Sequence, residues 1–554
     1  MDWQKSLNLV AIGLVAWLLI IEWDRFGDRE VHMVAEAEPQ SIATVVSEIP
    51  SEPVVDLSSD LPQMQFEPAE VPQVEHTSGL VKVTTDLMQV TIDTLGGDIV
   101  EVRLLKHLTA MANDGGEPFT LLTRSDQLYI AQSGLIGANA TDTVDGRPQF
   151  AVANNNYELL GGDQHLHVDL TLKQGDARIV KRFHFVPGSY TIGVEYQINN
   201  LSDQAWEAAF YGQIKRDSKQ PIVQSSGGMQ PYLGAALRQN ETNYAKYDFS
   251  DMQDESLKEA VAGGWVAMVQ HYFVSAWIPP REDTNSFSLR HSKGQDIYLM
   301  GFVGEKISVA AGGSGDYKAQ FYVGPKDQDT LAELADYLDL TVDYGFLWML
   351  AKPIFASMQY VHSLLGNWGW SIILLTILIK ILLYPLSAAS LKSMAKMRNL
   401  QPEMARLKEL YGDDRQKMSQ ELMGLYKKEK VNPAGGCLPM LLQMPVFIAL
   451  YWVLLESVEI RHTPWILWIQ DLSAKDPFFV LPIIMGGSML LMQQMQPMPT
   501  DPMQAKVMKL MPIMFTVFFM FFPAGLVLYW TVNNLLSMLQ QWVVNMQLAT
   551  SKKS

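Results

Sequence analysis

Five closely spaced apolar stretches in the C-terminal part of this 554-residue chain constrain its fold more than any other feature. They are Trp368–Leu386, Cys437–Leu455, Phe478–Met495, Val507–Phe522 and Leu526–Val544. About 20 apolar residues in a helix cross the hydrocarbon core of a typical bilayer. Several of the stretches are at or below that length, and the fourth has sixteen residues. With a further apolar run at Leu7–Ile21, the sequence predicts an α+β membrane protein with six transmembrane helices.

The first 78 residues predict an anchor followed by a linker. No small residues suited to signal processing stand in Glu22–Arg25, so we interpret 1–26 as an uncleaved transmembrane anchor, with a cleaved signal peptide as the alternative. Residues 31–79 hold nine acidic residues and six prolines but no Lys or Arg. Because such a composition cannot bury a core, 27–78 is predicted to be a disordered acidic linker.

Residues 79–342 alternate between apolar and polar side chains, which is typical of half-buried β-strands. Leu80–Thr84 and Tyr190–Tyr196 are examples, and Val186-Pro187-Gly188 marks a turn. About 260 residues of short strands predict a large β-sandwich with its own core.

The segment 343–366 predicts an interfacial amphipathic helix, with a transmembrane span as the alternative. One predicted face is apolar and consists of Leu347, Leu350, Ile354, Val361 and Leu365. Residues 367–547 then predict a five-helix core, which includes a cytoplasmic helical hairpin at 391–431. The last residues, 548–554, form a short basic tail.

Charge is divided unevenly along the chain. Residues 1–345 hold 24 Lys and Arg against 48 Asp and Glu, and residues 346–554 hold 18 against 11, so the net charges are −24 and +7. The basic half is also the apolar half, which favours a membrane over nucleic acid as its partner. The connection 391–431 holds ten basic residues, whereas 456–476 holds two. The sequence therefore predicts that both termini are cytoplasmic and that the β domain is outside, in the periplasm of a bacterium.

No motif in the sequence indicates an enzyme. The single cysteine, Cys437, excludes an intramolecular disulfide and every CxxC motif. P-loop, HExxH and GxSxG patterns are missing as well. We therefore predict no catalytic residue, no cofactor and no metal.

Lys380 is the only charged residue in the apolar run from Trp368 to Pro385. A lysine at the centre of a lipid-exposed helix costs about 2.5–3.5 kcal/mol, so it normally faces water, a partner or a substrate path. No Asp or Glu lies in the core of a predicted span to pair with it. We expect Lys380 to line a hydrated groove, with snorkelling to the cytoplasmic headgroups as the alternative.

Further polar side chains recur on the predicted spans and extend this surface. They are Thr376, Tyr384 and Ser387 on the first, Gln443 on the second, Thr516 on the fourth, and Tyr529, Asn533, Ser537 and Gln540 on the last. Packing between helices is the alternative role for any one of these hydroxyl and amide groups. A groove of this kind could draw acidic or polar residues of another polypeptide into the membrane.

The predicted hairpin at 391–431 consists of two amphipathic helices joined by a turn at residues 412–414. Its predicted contact residues are Met394, Met397, Arg398, Met404 and Met418. Methionine is adaptable and common on surfaces that accept varied partners. The alternative is that the methionines pack the hairpin against itself.

Several long motifs resemble one family, the YidC membrane protein insertases of Gram-negative bacteria. They are FYVGPKD at 321–327, DLTVDYGFLW at 339–348, GNWGWSIILLT at 366–376, MAKMRNLQPEM at 394–404, NPAGGCLPMLLQMPVF at 432–447 and PAGLVLYWTVNNLLS at 523–537. The resemblance implies insertion and folding of nascent inner-membrane proteins, alone or beside the SecYEG translocon and its accessory subunits, without ATP hydrolysis. It also implies a groove that is open to the cytoplasm and to lipid.

The resemblance assigns roles to particular residues. Thr376, Gln443 and the pair Tyr529 and Trp530 match positions that line the groove or touch substrate, and Lys380 matches the groove charge, which is arginine in many members. The hairpin would help to recruit substrate. This loop and a second methionine-rich cytoplasmic loop, predicted around Met492–Met503, would approach the ribosome, and we expect no other nucleic-acid contact.

Two other classes of protein remain as alternatives. An ion-coupled transporter would show paired repeats and intramembrane carboxylates, neither of which is evident. A sugar-binding or sugar-modifying β-sandwich with a membrane anchor is compatible with the predicted fold, although fold alone does not define function.

Overall fold

The computed structural model describes residues 79–111, 115–143, 146–159, 161–221, 231–412, 414–429, 431, 438–496 and 502–551. The predicted anchor at 1–26, the linker at 27–78 and residues 552–554 of the predicted tail lie outside the described residues.

Nineteen β-strands in the described residues form two sheets. They are β1 (Leu80–Thr84), β2 (Met88–Asp93), β3 (Asp98–Leu108), β4 (Pro118–Leu122), β5 (Tyr129–Ile136), β6 (Ala151–Val152), β7 (Asn156–Glu158), β8 (Leu166–Gln174), β9 (Ala177–Phe185), β10 (Thr191–Asn200), β11 (Trp206–Arg216), β12 (Gly234–Leu237), β13 (Ala245–Tyr247), β14 (Leu257–Ala262), β15 (Val266–Val269), β16 (Phe273–Ile278), β17 (Thr284–His291), β18 (Tyr298–Val309) and β19 (Ser314–Pro325). One sheet has the order β14-β17-β18-β11-β5-β3-β2-β1-β7 with β4 paired to β3, and the other has the order β13-β12-β15-β16-β19-β10-β9-β8-β6.

The two sheets share one apolar core. Val83 and Phe210 from the first sheet and Phe183 and Phe321 from the second are fully buried in the same cluster. Successive side chains of a strand point to opposite faces of the sheet, so each strand can turn one apolar face to this core. Along β9, every second side chain is buried. The prediction of a β-rich domain is confirmed.

The rest of the described chain is mainly helical. One short helix, α1 (Phe249–Asp254), lies inside the β domain. The other helices follow β19 in sequence: α2 (Gln328–Leu334), α3 (Trp348–Leu365), α4 (Trp368–Leu382), α5 (Tyr384–Asn399), α6 (Gln401–Tyr411), α7 (Arg415–Lys428), α8 (Leu438–Glu456), α9 (Val480–Gln494), α10 (Pro502–Phe519) and α11 (Ala524–Ser551). Short 3-10 turns lie at Leu338–Thr341, Gly345–Leu347 and Val458–Ile460.

Taken one at a time, none of the helices in the described part of the chain is long and apolar enough to span a membrane. Only α4 and α5 would qualify as a pair, and that pair is bent by 69°. The predicted first span, Trp368–Leu386, is therefore divided at Leu383 rather than continuous. Pro385 accounts for the break, because it has no N–H to donate and its ring clashes with the carbonyl of the preceding turn.

The face that helix α3 buries overlaps only in part with the predicted apolar face: Val361 is buried, and Leu347 and Ile354 are half-buried. Ala351, Phe355, Met358 and Val361 are its buried residues. Of the predicted apolar face, Leu350 and Leu365 are 40% and 48% exposed, and Val361 is buried. Spacing alone locates an apolar stripe, but the neighbouring helices α4 and α8 decide which stripe is covered.

The β domain is joined to the helices by three polar contacts, which we call the junction. Lys326 Nζ donates to Glu456 Oε2 at 2.5 Å, and both side chains are almost fully buried. His271 Nε2 lies 2.7 Å from the carbonyl oxygen of Leu455, and Arg461 donates to the carbonyl oxygen of Leu108 at 2.6 Å. Burial lowers the pKa of His271 to about 3, so the imidazole is neutral and its Nε2–H can donate to that carbonyl.

An apolar cluster also crosses the junction. Trp265 and Tyr322 of the β domain share it with Phe355 of α3, Leu450 of α8 and Tyr529 of α11. Because interiors are densely packed, this shared core fixes the β domain against the ends of the helices.

Beside the junction, Glu459 should make stability depend on pH. Its Oε2 is buried without a hydrogen-bond partner among the described residues, and burial raises the pKa of Glu459 to about 7. Since the folded chain holds this proton more tightly than the unfolded chain, the stabilisation present below about pH 4.5 is lost as pH rises to about 7. We expect Glu459→Gln to raise the free energy of unfolding above pH 7 by about 1–3 kcal/mol and to flatten its dependence on pH.

Thermal unfolding of the detergent-solubilised protein between about pH 5 and about pH 8 measures this effect. Glu333→Gln, at an exposed position, is the matched control. Parallel pH profiles for wild type and Glu459→Gln would contradict the prediction.

Candidate functional site

Lys380 lies on α4 and is buried, with 4% of its surface exposed. Its Nζ donates to Ser537 Oγ on α11 at 2.7 Å. No carboxylate in the described residues forms an ion pair with it. The charge is therefore held between two helices by a neutral side chain.

The contact between Lys380 and Ser537 continues to a third helix. Ser537 Oγ donates to the carbonyl oxygen of Asn533 at 2.7 Å, and Asn533 Nδ2 donates to Gln443 Oε1 on α8 at 3.3 Å. Gln540 Nε2 approaches the carbonyl oxygen of Lys380 at 3.5 Å. We call Lys380, Ser537, Asn533 and Gln443 the Lys380 chain. It is a polar strip across three helices whose surroundings are largely apolar.

The other residues of the predicted polar stripe on the first span differ in their burial and in their hydrogen bonds. Thr376 is 1% exposed and its hydroxyl donates to the carbonyl oxygen of Ile372 on its own helix. Ser387 is also buried, and its Oγ has no partner among the described residues. Tyr384 is 36% exposed, because the break at Leu383 turns α5 away from the line of α4.

Tyr529 and Trp530 belong to an aromatic cluster. Tyr529 is 3% exposed and packs beside Phe447 with ring centroids 6.3 Å apart. The Trp530 ring meets Phe447 edge to face at 4.6 Å and Phe519 at 5.2 Å. Both residues therefore contribute apolar packing, one turn of α11 before Asn533.

Thr516 is joined to a different part of the structure. Its hydroxyl donates to the carbonyl oxygen of Pro512, and its side chain packs so closely on Gly486 of α9 that a Cβ there would lie 1.9 Å from Thr516 Oγ1. This residue is in the contact between α9 and α10, and it makes no described hydrogen bond to the Lys380 chain.

The structure gives one residue of the predicted stripe a specific role and adds one polar contact outside that stripe. Ser537 belongs to the predicted stripe on the last span, but only the packing of α11 against α4 makes it the acceptor for Lys380. Asn534, 3% exposed, donates to Ser488 Oγ on α9 at 3.1 Å. Asn534 follows Asn533 in the sequence but lies off the predicted polar stripe, so the sequence pattern does not indicate this contact.

The predicted hairpin consists of α6 and α7, whereas Met394 and Met397 lie on α5 before it. Met394 and Met404 are buried, and Met404 Sδ accepts a hydrogen bond from the Tyr426 hydroxyl at 3.8 Å. Met397 and Met418 are half-buried, and Arg398 is exposed. For Met394 and Met404, internal packing thus describes the structure better than an open contact surface.

Comparisons with known proteins agree on one class. A family model described as 60Kd inner membrane protein matches residues 360–552, and one described as YidC periplasmic domain matches residues 80–357. The membrane protein insertase YidC of Cellvibrio japonicus is 52% identical over 99% of this chain and 99% of its own length. That of Saccharophagus degradans is 51% identical over 98% and 99%.

A solved structure described as an active YidC insertase with its first transmembrane domain resolved covers 85% of this chain and 93% of its own chain. Its identity is 18% and its TM-score is 0.37. The family matches define a bacterial inner-membrane protein with a β-rich periplasmic domain and a helical C-terminal region. The chain belongs to the YidC membrane protein insertase family.

Proposed function

We propose that this chain inserts and folds nascent inner-membrane proteins by admitting their polar segments to a groove around the Lys380 chain. The observation that carries the proposal is a buried lysine that has no carboxylate partner among the described residues and is hydrogen-bonded to a serine. A positive charge held in this way attracts acidic or polar residues of a client and lowers the free energy of bringing them into the bilayer. Thr376, Tyr529, Trp530 and, more remotely, Thr516 would complete the groove.

The client's apolar segment has a separate path. Exposed apolar side chains flank the Lys380 chain on both helices, including Ile381 and Leu382 on α4 and Leu535 and Leu539 on α11. An apolar client helix would slide along this surface into lipid while its polar end crosses. Transfer of apolar surface and the membrane potential, about 2.3 kcal/mol per charge per 100 mV, would drive the process without ATP hydrolysis.

The proposed topology has six spans and cytoplasmic termini. Its parts are an anchor at 1–26, a linker at 27–78, the β domain at 79–342, an interfacial helix at 343–366, the core at 367–547 and a tail at 548–554. The ten basic residues of the connection 391–431, against two in 456–476, support this orientation, because cytoplasmic loops carry an excess of Lys and Arg.

The cytoplasmic side would receive the client. Met397, Arg398 and Met418 keep exposed surface on the helices of 391–431 and would meet the emerging client. Met394 and Met404 would support these helices from inside. The ribosome and SecYEG with its accessory subunits are the proposed larger partners, and lipid surrounds the helices.

Reconstitution tests the proposed function directly. Liposomes with purified chain and empty liposomes would be compared for insertion of a short single-span protein with an acidic translocated end. We expect protease protection of that end only where the chain is present. Equal protection in empty liposomes would contradict the proposal, and a parallel tracer-uptake screen would detect the transporter alternative.

A further inference from the structure

We propose that Ser537 is a positioning residue that holds the Lys380 ammonium inside the groove and leaves its positive charge available for acidic client segments. This inference rests on the proposed function and assigns the groove a preference among clients. Ser537 would fix the position of the Lys380 ammonium, and the charge itself belongs to the lysine.

The hydrogen bonds around Ser537 have a defined direction. Its single O–H donates to the carbonyl oxygen of Asn533 at 2.7 Å, so the lone pairs of Oγ are free to accept from Lys380 Nζ at 2.7 Å. Asn533 is fixed in turn by Gln443 on α8. The serine is thus oriented as an acceptor before any client arrives.

A neutral acceptor preserves the charge of the lysine. An aspartate at the same position would form an ion pair with no net charge, and a client carboxylate would then have to compete with it. With serine, the ammonium donates to an acceptor that carries no charge, so an incoming carboxylate adds the attraction of an ion pair that serine does not supply. The structure thereby favours acidic clients over neutral ones.

Ser537 also restrains a flexible side chain. Lysine is a point charge on a four-carbon stem that can snorkel toward the headgroups. The described residues engage one of the three N–H donors of Lys380, which leaves two for water or a client. Anchoring by Ser537 keeps the ammonium at the depth of Asn533 and Gln443 instead of at the membrane surface.

The test compares two reconstituted clients that differ only in an acidic or a neutral translocated end. For Ser537→Ala we expect insertion of the acidic client to fall about tenfold and that of the neutral client by about twofold or less. Ser537→Thr, which keeps the hydroxyl, should restore the acidic client to within about twofold of wild type. Ser537→Asp should impair the acidic client at least as much as Ser537→Ala.

Asn534→Ala is the matched control, because it removes a buried hydrogen bond on the same helix, to Ser488, without touching Lys380. It should affect both clients equally. Because Ser537→Asp retains an acceptor for Lys380, it keeps the test decisive if Ser537→Ala is unstable. Equal loss for both clients in Ser537→Ala, or wild-type insertion of the acidic client by Ser537→Asp, would overturn the positioning role. Failure of wild type to insert either client would overturn the proposed function itself.

Discussion

Lys380→Glu should abolish insertion of a client with an acidic translocated end. The substitution places a carboxylate where the client's carboxylate must pass, and two like charges about 4 Å apart at an effective dielectric constant of 20 repel by about 4 kcal/mol. We expect the insertion rate to fall about 100-fold or more for Lys380→Glu and by a smaller factor for Lys380→Ala. Lys380→Arg should retain insertion, because it keeps the positive charge. The measurement is the rate at which the translocated end becomes protease-protected in liposomes.

A charge reversal elsewhere on the helices is needed for comparison. Lys509→Glu on α10 changes an exposed lysine and should leave the rate within about twofold of wild type. If all four proteins with Lys, Arg, Ala or Glu at position 380 insert the client equally, the charge is not required. Shape and hydration of the site would then have to explain insertion.

The second large effect is expected at the junction, where Lys326→Met should destabilise the folded chain by about 3–5 kcal/mol. The substitution leaves Glu456 buried without its cation, whereas the paired residues are only 2% and 3% exposed. Adding Glu456→Gln should recover much of the loss, because it removes the uncompensated charge. Thermal unfolding in detergent measures both changes.

Lys352→Ala provides the matched control at another ion pair. Lys352 and Asp339 are also close, at 2.8 Å, but their side chains are 36% and 20% exposed. Pairs of this kind contribute about 1 kcal/mol or less. A loss for Lys326→Met no greater than that for Lys352→Ala would mean that burial of the junction pair has little energetic consequence.

The sequence predicts local structure well where one period dominates. The strand β1 has the predicted bounds Leu80–Thr84, and β10 overlaps the predicted strand Tyr190–Tyr196, because alternation along an exposed sheet face is a local property. Pro385 lies inside the predicted span Trp368–Leu386, but the apolar run around it led to the prediction of a continuous helix, which is wrong. Here local chemistry prevailed over hydropathy.

Long-range contacts could not be predicted in the same way. Lys326 and Glu456 are 130 positions apart, and Lys380 and Ser537 are 157 apart. Periodicity puts Ser537 on a polar stripe, but the rotation of α11 against α4 decides that it, rather than Asn533, accepts from Lys380. For the methionines of 391–431, composition predicts an apolar face and only packing shows that Met394 and Met404 are covered.

The junction also sets an order of events in the protein's own biogenesis. During synthesis Lys326 is made 130 residues before Glu456, so the β domain is complete while this lysine still lacks its carboxylate. The ion pair can form only after α8, which carries Glu456 at its end, has been synthesised. The β domain therefore depends on a residue of a later helix to neutralise its buried lysine.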